Sequence, residues 1–168
     1  MSSVDYDPVK AHEYYEKHKK LKGRRSTKGF SDTQKEQWSY AKDQLKAEHK
    51  AINADITENK KERLESISEE VKSQKEQLSE QAKNKIEGLR EQLKGMSKED
   101  KAKMRDKIKD AIGQIKSAMS KAKADLGAAG AEAKELTRAD AKAAKDTENA
   151  EYEKRLDDAH AKIKGGGK

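Results

Sequence analysis

The chain reads as an all-α protein of long helices forming a coiled coil, arranged most simply as an antiparallel helical hairpin behind a short N-terminal helix and a basic linker. Three observations predict this. Charged residues make up 42% of the 168 and apolar residues only 32%, whereas compact globules draw nearly half their residues from the apolar set. The single proline stands at position 8, which leaves everything after it free of the strongest helix breaker. Finally, Leu45, Ile56, Ile67, Leu78 and Leu89 recur eleven residues apart, a helical interval.

Taken in order, residues 1–30 form a docking helix and basic arm. Asp7 and Pro8 read as an N-cap and first helical residue, because proline's missing N–H costs nothing there. A helix from Pro8 to about Leu21 gains Glu13–Lys17 and Glu16–Lys20 pairs at i,i+4. Gly23 and Gly29 then punctuate the linker "KGRRSTKG".

The first long helix occupies residues 31–96, with Ser31 or Asp32 as its N-cap. A companion ladder, Val71, Ala82 and Leu93, lies four residues beyond the first. Eleven residues in three turns is about 3.67 per turn, so the stripe runs nearly straight or winds gently right-handed. Leu64, Val71 and Leu78 also fit a heptad locally. "KGMSKED" at 94–100 interrupts the pattern. Gly95 suits a helix end, and Ser97 with Asp100 resembles a capping box.

The second long helix covers 97–164, and Met104, Ile115 and Leu126 are again eleven apart. "GAAG" at 127–130 reads either as a break or as a weakened stretch of continuous helix. Beyond it Leu136, Ala143, Ala150, Leu156 and Ile163 are expected on one side. "GGGK" at 165–168 is a flexible tail. The arms, each about 95–100 Å at 1.5 Å per residue, either fold on one another about Gly95 or form one rod that oligomerises. Both arrangements use Leu45, Ile56, Ile67, Leu78, Leu89, Met104, Ile115 and Leu126 as a self-association stripe, since thin helices of this length need a partner.

Several function classes are disfavoured. There is no cysteine, which removes disulfides and thiolate metal sites. The opening "MSSVDYDPVK" lacks an apolar signal region, and no run approaches the ~18 apolar residues of a membrane span. The expected setting is therefore a cytoplasm. "HEYYE" at 12–16 has Glu16 where a helical zinc motif needs its second histidine, and the four histidines are read as helix-surface residues. No phosphate-binding glycine loop occurs, and pairing any two carboxylates as acid and base would be arbitrary. No enzyme, metal or cofactor is expected.

The distinctive feature is "KHKKLKGRRSTK" at 17–28, with seven Lys and Arg and no carboxylate, in a chain of net charge +7. The rest of the sequence is charge-neutral. Six of the seven aromatics flank this block within residues 1–40. Aromatics beside arginine make efficient interface anchors. Tyr14, Tyr15, Phe30 and Trp38 are thus the expected apolar anchors, with Lys19, Lys20, Lys22, Arg24 and Arg25 supplying charge. A bland reading competes, in which the charge is a solvated linker and the aromatics form a small local core with Tyr15 and Leu21 against Trp38. Nucleic acid is one acidic partner, although arms that sum to zero charge argue against an extended basic stripe tracking a duplex. A membrane surface fits poorly, because the stripe is narrow and almost without Phe or Trp. The Lys/Glu/Ala composition is shared with disordered proteins as well.

The segment "YDPVKAHEYYEKHKKLKGRRSTKGFS" at 6–31, above all "YDPxKAHEYY" followed by "KLKGR", resembles the start of small helical virion-associated proteins of tailed bacteriophages of Gram-positive hosts. The resemblance covers roughly a sixth of the chain, and its remainder looks like the variable coiled coil those proteins carry. It implies a phage head or tail context rather than an activity. The resulting expectation is a non-enzymatic structural or assembly protein, head-associated as a scaffold-like component. It would dock on a capsid or portal protein, be present in the host cytoplasm during assembly, and enter the virion. A DNA-associated basic protein and a tail component are the alternatives.

Overall fold

The computed structural model describes Glu13 and residues 25–166, and within them the chain is an all-α hairpin of two long helices packed against each other. Helix α1 spans Asp32–Lys94 and α2 spans Lys98–Gly166. The expected N-terminal helix lies outside the described residues apart from Glu13, which is helical. Among the described residues no helix is long and apolar enough to cross a membrane.

Local chemistry sets the helix ends. Ser31 is the N-cap of α1: its Oγ accepts from the Gln34 N–H at 3.1 Å, and its own N–H donates to Gln34 Oε1 at 2.8 Å. This is a reciprocal capping box with Gln in the third helical position. At the far end Gly95 N–H donates to the Glu91 carbonyl at 3.2 Å and Met96 N–H to Leu93 at 3.3 Å. The helix therefore tightens from i−4 to i−3 bonding as it stops. Gly95 achieves this without the left-handed conformation, since only Gly29 among the described residues has a positive φ. Ser97 then caps α2, its Oγ accepting from Asp100 N–H at 3.3 Å. Three residues between two long helices force them to return as antiparallel neighbours.

Helix α2 does not break at "GAAG". The two glycines instead permit close approach. A Cβ on Gly130 would stand 2.7 Å from Val71 Cγ2, and one on Gly127 would stand 3.4 Å from Lys75 Nζ.

The eleven-residue period holds along both helices, farther than the apolar residues reveal. Lys60, His49 and Trp38 extend the Val71, Ala82 and Leu93 row toward the N-terminus, and all are buried or half-buried. In α2 the Met104, Ile115 and Leu126 row continues through Thr137 and Glu148 to Ala159. The neighbouring row runs Ile108, Met119, Gly130, Ala141, Tyr152 and Ile163. The expected Leu136, Ala143, Ala150 face is consequently incorrect. Leu136 is 61% exposed, and Ala143 and Ala150 are exposed too. The heptad spacing of those three rotates off the inward face, which keeps an eleven-residue beat with polar residues.

The chain packs as two compact units. One is Lys61–Thr137, here the turn unit; the other joins the residues up to Lys60 with those from Arg138, here the terminal unit. In the turn unit Leu78 and Leu89 share a groove with Ala111, Ile115 and Met119. All eight stripe residues named from the sequence (Leu45, Ile56, Ile67, Leu78, Leu89, Met104, Ile115, Leu126) are half-buried. Two helices alone cannot enclose them. Among the described residues the buried apolar ones are Trp38, Ala82, Ile108 and Leu156.

Candidate docking site: the aromatic and charged clusters of the terminal unit

The terminal unit adds two polar clusters to its apolar packing. The first begins at a turn, where Phe30 N–H donates to the Thr27 carbonyl at 3.0 Å. Gly29, with φ of 86°, occupies the third position of this turn, where a positive φ favours glycine. The turn delivers Phe30 onto His160, with ring centroids 5.3 Å apart and planes at 30°. Trp38 meets the same imidazole edge-on at 5.1 Å and 77°. Two aromatic rings thus hold one histidine, in the offset and edge-to-face geometries their quadrupoles favour. His160 Nε2 donates to the Ser26 carbonyl at 2.8 Å, which fixes a proton on that nitrogen. Arg25 pairs with Glu153, and its Nε lies 3.5 Å from Asp157 Oδ1. Gln34 Nε2 donates to the Ile163 carbonyl at 3.2 Å.

The second cluster centres on Glu148, only 5% exposed. Its carboxylate accepts from Arg155 and, at 3.2 Å, from His49 Nδ1. Asn53 Nδ2 donates to His49 Nε2 at 3.2 Å, so the imidazole here carries its proton on Nδ1. The ring also stacks on Tyr152, with centroids 4.1 Å apart and planes at 10°. Burial alone would push the Glu148 carboxyl up, but the hydrogen bonds from Arg155 and His49 and the Arg155 charge outweigh it and hold it below the ordinary range. The same pairing with Glu148 raises Arg155.

Of the docking residues expected from the sequence, Arg25, Phe30 and Trp38 are gathered into the first cluster. They turn toward the chain itself: Trp38 is 4% exposed and the Arg25 side chain 12%. Trp38 and Phe30 form a small local core around His160, while Tyr15 and Leu21, the residues expected against Trp38, lie outside the described residues. Tyr14, Tyr15, Lys19, Lys20, Lys22 and Arg24 lie outside the described residues, as do His12 and His18. His49 and His160 are not the surface histidines expected; His160 is 6% exposed. Glu148, Glu153, Asp157 and Tyr152 had not been singled out. The signal that marks two of these residues is register, since His49 stands eleven residues after Trp38 and Tyr152 eleven before Ile163.

Chemically, both clusters are polar networks that tie α1 and the turn ahead of it to the last five turns of α2, with Asn53 Oδ1, Arg155 Nε and Asp157 Oδ1 buried without a hydrogen bond. Among the described residues no group of three or more His, Asp or Glu could hold a metal ion. No protein-family model, curated protein or solved structure matches this chain.

Proposed function

We propose that this protein is a non-enzymatic structural or assembly component of a tailed-phage particle, head-associated and scaffold-like, docking on an acidic capsid or portal surface. It would act in the host cytoplasm during assembly and in the virion. The observation that carries this reading is charge segregation: seven Lys and Arg at 17–28 in a chain whose other residues sum to zero. The N-terminal resemblance to virion-associated proteins supplies the context.

The proposed docking set leaves out residues that the hairpin already engages. Arg25, Phe30 and Trp38 are committed to His160, Glu153 and Asp157. Tyr14, Tyr15, Lys19, Lys20, Lys22 and Arg24 are left to engage the partner. Rim charges of this kind accelerate encounter and set register more than they deepen affinity. Self-association through the stripe would have to use the half of each side chain that the hairpin leaves open.

The test is removal of residues 1–24, a cut that spares Arg25, Ser26 and Phe30. Helicity should persist while co-purification with capsid or portal protein from infected cells is lost. Unchanged co-purification and unchanged particle assembly would rule the reading out.

A further inference from the structure

The two long faces of the turn unit differ in charge, although its sequence is nearly balanced. One groove between the helices is lined by alanine, glutamine, leucine and isoleucine, with Lys85 and Asp125 its only charges. The opposite groove has a floor of Val71, Gly127 and Gly130, and its walls carry Lys72, Lys75, Lys83, Arg90, Lys116 and Lys134. Only Glu76 and Glu87 join them as carboxylates. Lys72 and Lys83 belong to a row, Lys61, Lys72, Lys83 and Lys94, in which every member is exposed and stands eleven residues from the next. The repeat that aligns the apolar stripe therefore also aligns a cationic one, stepping about 16.5 Å at 1.5 Å per residue, with the exposed Glu65, Glu76 and Glu87 four residues beyond its first three members. Summing charge along the arms hides this.

We propose that this lysine-lined face of the turn unit is a second binding surface, for the phosphate backbone of duplex nucleic acid without regard to base sequence. A row of evenly stepped cations about 50 Å long matches a linear lattice that carries one negative charge per about 1.7 Å of duplex axis. A compact anion would need a single convergent site, and none is built here. Single strands are held largely by stacking on aromatic rings, and residues 61–137 contain no Phe, Tyr or Trp. Sequence readout needs bidentate donors and acceptors reaching base edges, whereas the cations of this face are lysines apart from Arg90. Each lysine that displaces a condensed counterion adds about 0.9 to the salt slope of binding.

Anisotropy with a mixed-sequence 30-base-pair duplex, across a salt series on the full chain, tests this. Two triple variants are compared, each removing three charges: Lys72, Lys83 and Lys116→Gln on the proposed face, and Lys85, Lys103 and Lys107→Gln on the opposite one. Lys103 and Lys107 stand eleven residues before Gln114 and Ala118 of the neutral groove. Circular dichroism confirms that both stay helical. The proposed-face triple should lower the log–log salt slope by about 2–3 units and weaken binding at least tenfold, with little change in the control. Equal effects of the two triples overturn the proposal, as does absence of binding at low salt. Binding abolished only by Lys19, Lys20 and Lys22→Gln also overturns it. Tighter hold on a single strand or on polyglutamate assigns the face to another partner and overturns the duplex reading.

Discussion

At Gly130 two residue-level effects oppose each other. Alanine in a helix interior is favoured over glycine by about 1 kcal/mol, yet the new Cβ would sit 2.7 Å from Val71 Cγ2. Valine is stiff at χ1 and cannot swing aside cheaply, so overpacking of about 1–3 kcal/mol should win. Gly113 has nothing within 4 Å of an added Cβ. Gly113→Ala should therefore stabilise by about 1 kcal/mol while Gly130→Ala destabilises, an opposition of sign that denaturant unfolding of both variants will read directly. Glu148 makes a second prediction, in pH. Its folded carboxyl titrates below the ordinary 4.5. A carboxyl depressed by folding stabilises the native state above its unfolded value, and that contribution disappears as pH falls through the folded value. Glu148→Gln should lower Tm at pH 7, by about 1–3 kcal/mol in stability for a buried, charge-assisted network left part-satisfied. The gap between variant and parent should close below pH 4.5; a gap independent of pH from 7 to 3 would contradict the assignment.

For the elements, the decisive issue is which period governs the second half of α2. Leu136 is the large apolar residue a reader of the sequence places inward, but it is 61% exposed, whereas Leu156 is 7% exposed. Leu136→Ser should change stability by no more than about 0.5 kcal/mol. Leu156→Ala should cost about 2–4 kcal/mol. If thermal melts rank them the other way, the inward face has been misassigned. This pair also marks the boundary of what the sequence discloses. Both caps, the turn at 95–97 and the apolar rows of α1 are visible in residue types alone, because capping and periodicity are local. The inward polar residues of the terminal unit are Glu148, Tyr152 and His160 in α2 and His49 in α1. Polar residues are normally read as outward, and only mutual pairing across the hairpin justifies their burial. That pairing is a tertiary fact. The lysine face was hidden for a different reason, since a net charge carries no information about azimuth around a helix.

For the whole molecule, the issue is what stabilises helices this polar. Isolated helices gain too little from propensity alone and remain marginal in water, so α1 and α2 each require a companion along most of their length. The hairpin supplies it within one chain, through the eleven-residue stripe in the turn unit and through the His160 and Glu148 clusters in the terminal unit. Concentration then has no first-order role in folding. A rod that depended on a second copy would lose helix on dilution, because mass action couples its folding to association. Helicity at 222 nm should accordingly stay constant over about a hundredfold dilution, and thermal midpoints should not move with concentration. A midpoint that climbs as the protein is concentrated would show the half-buried stripe being completed by a neighbour. The physical unit would then be an assembly of hairpins, and the partner-docking surface would have to be sought on that assembly.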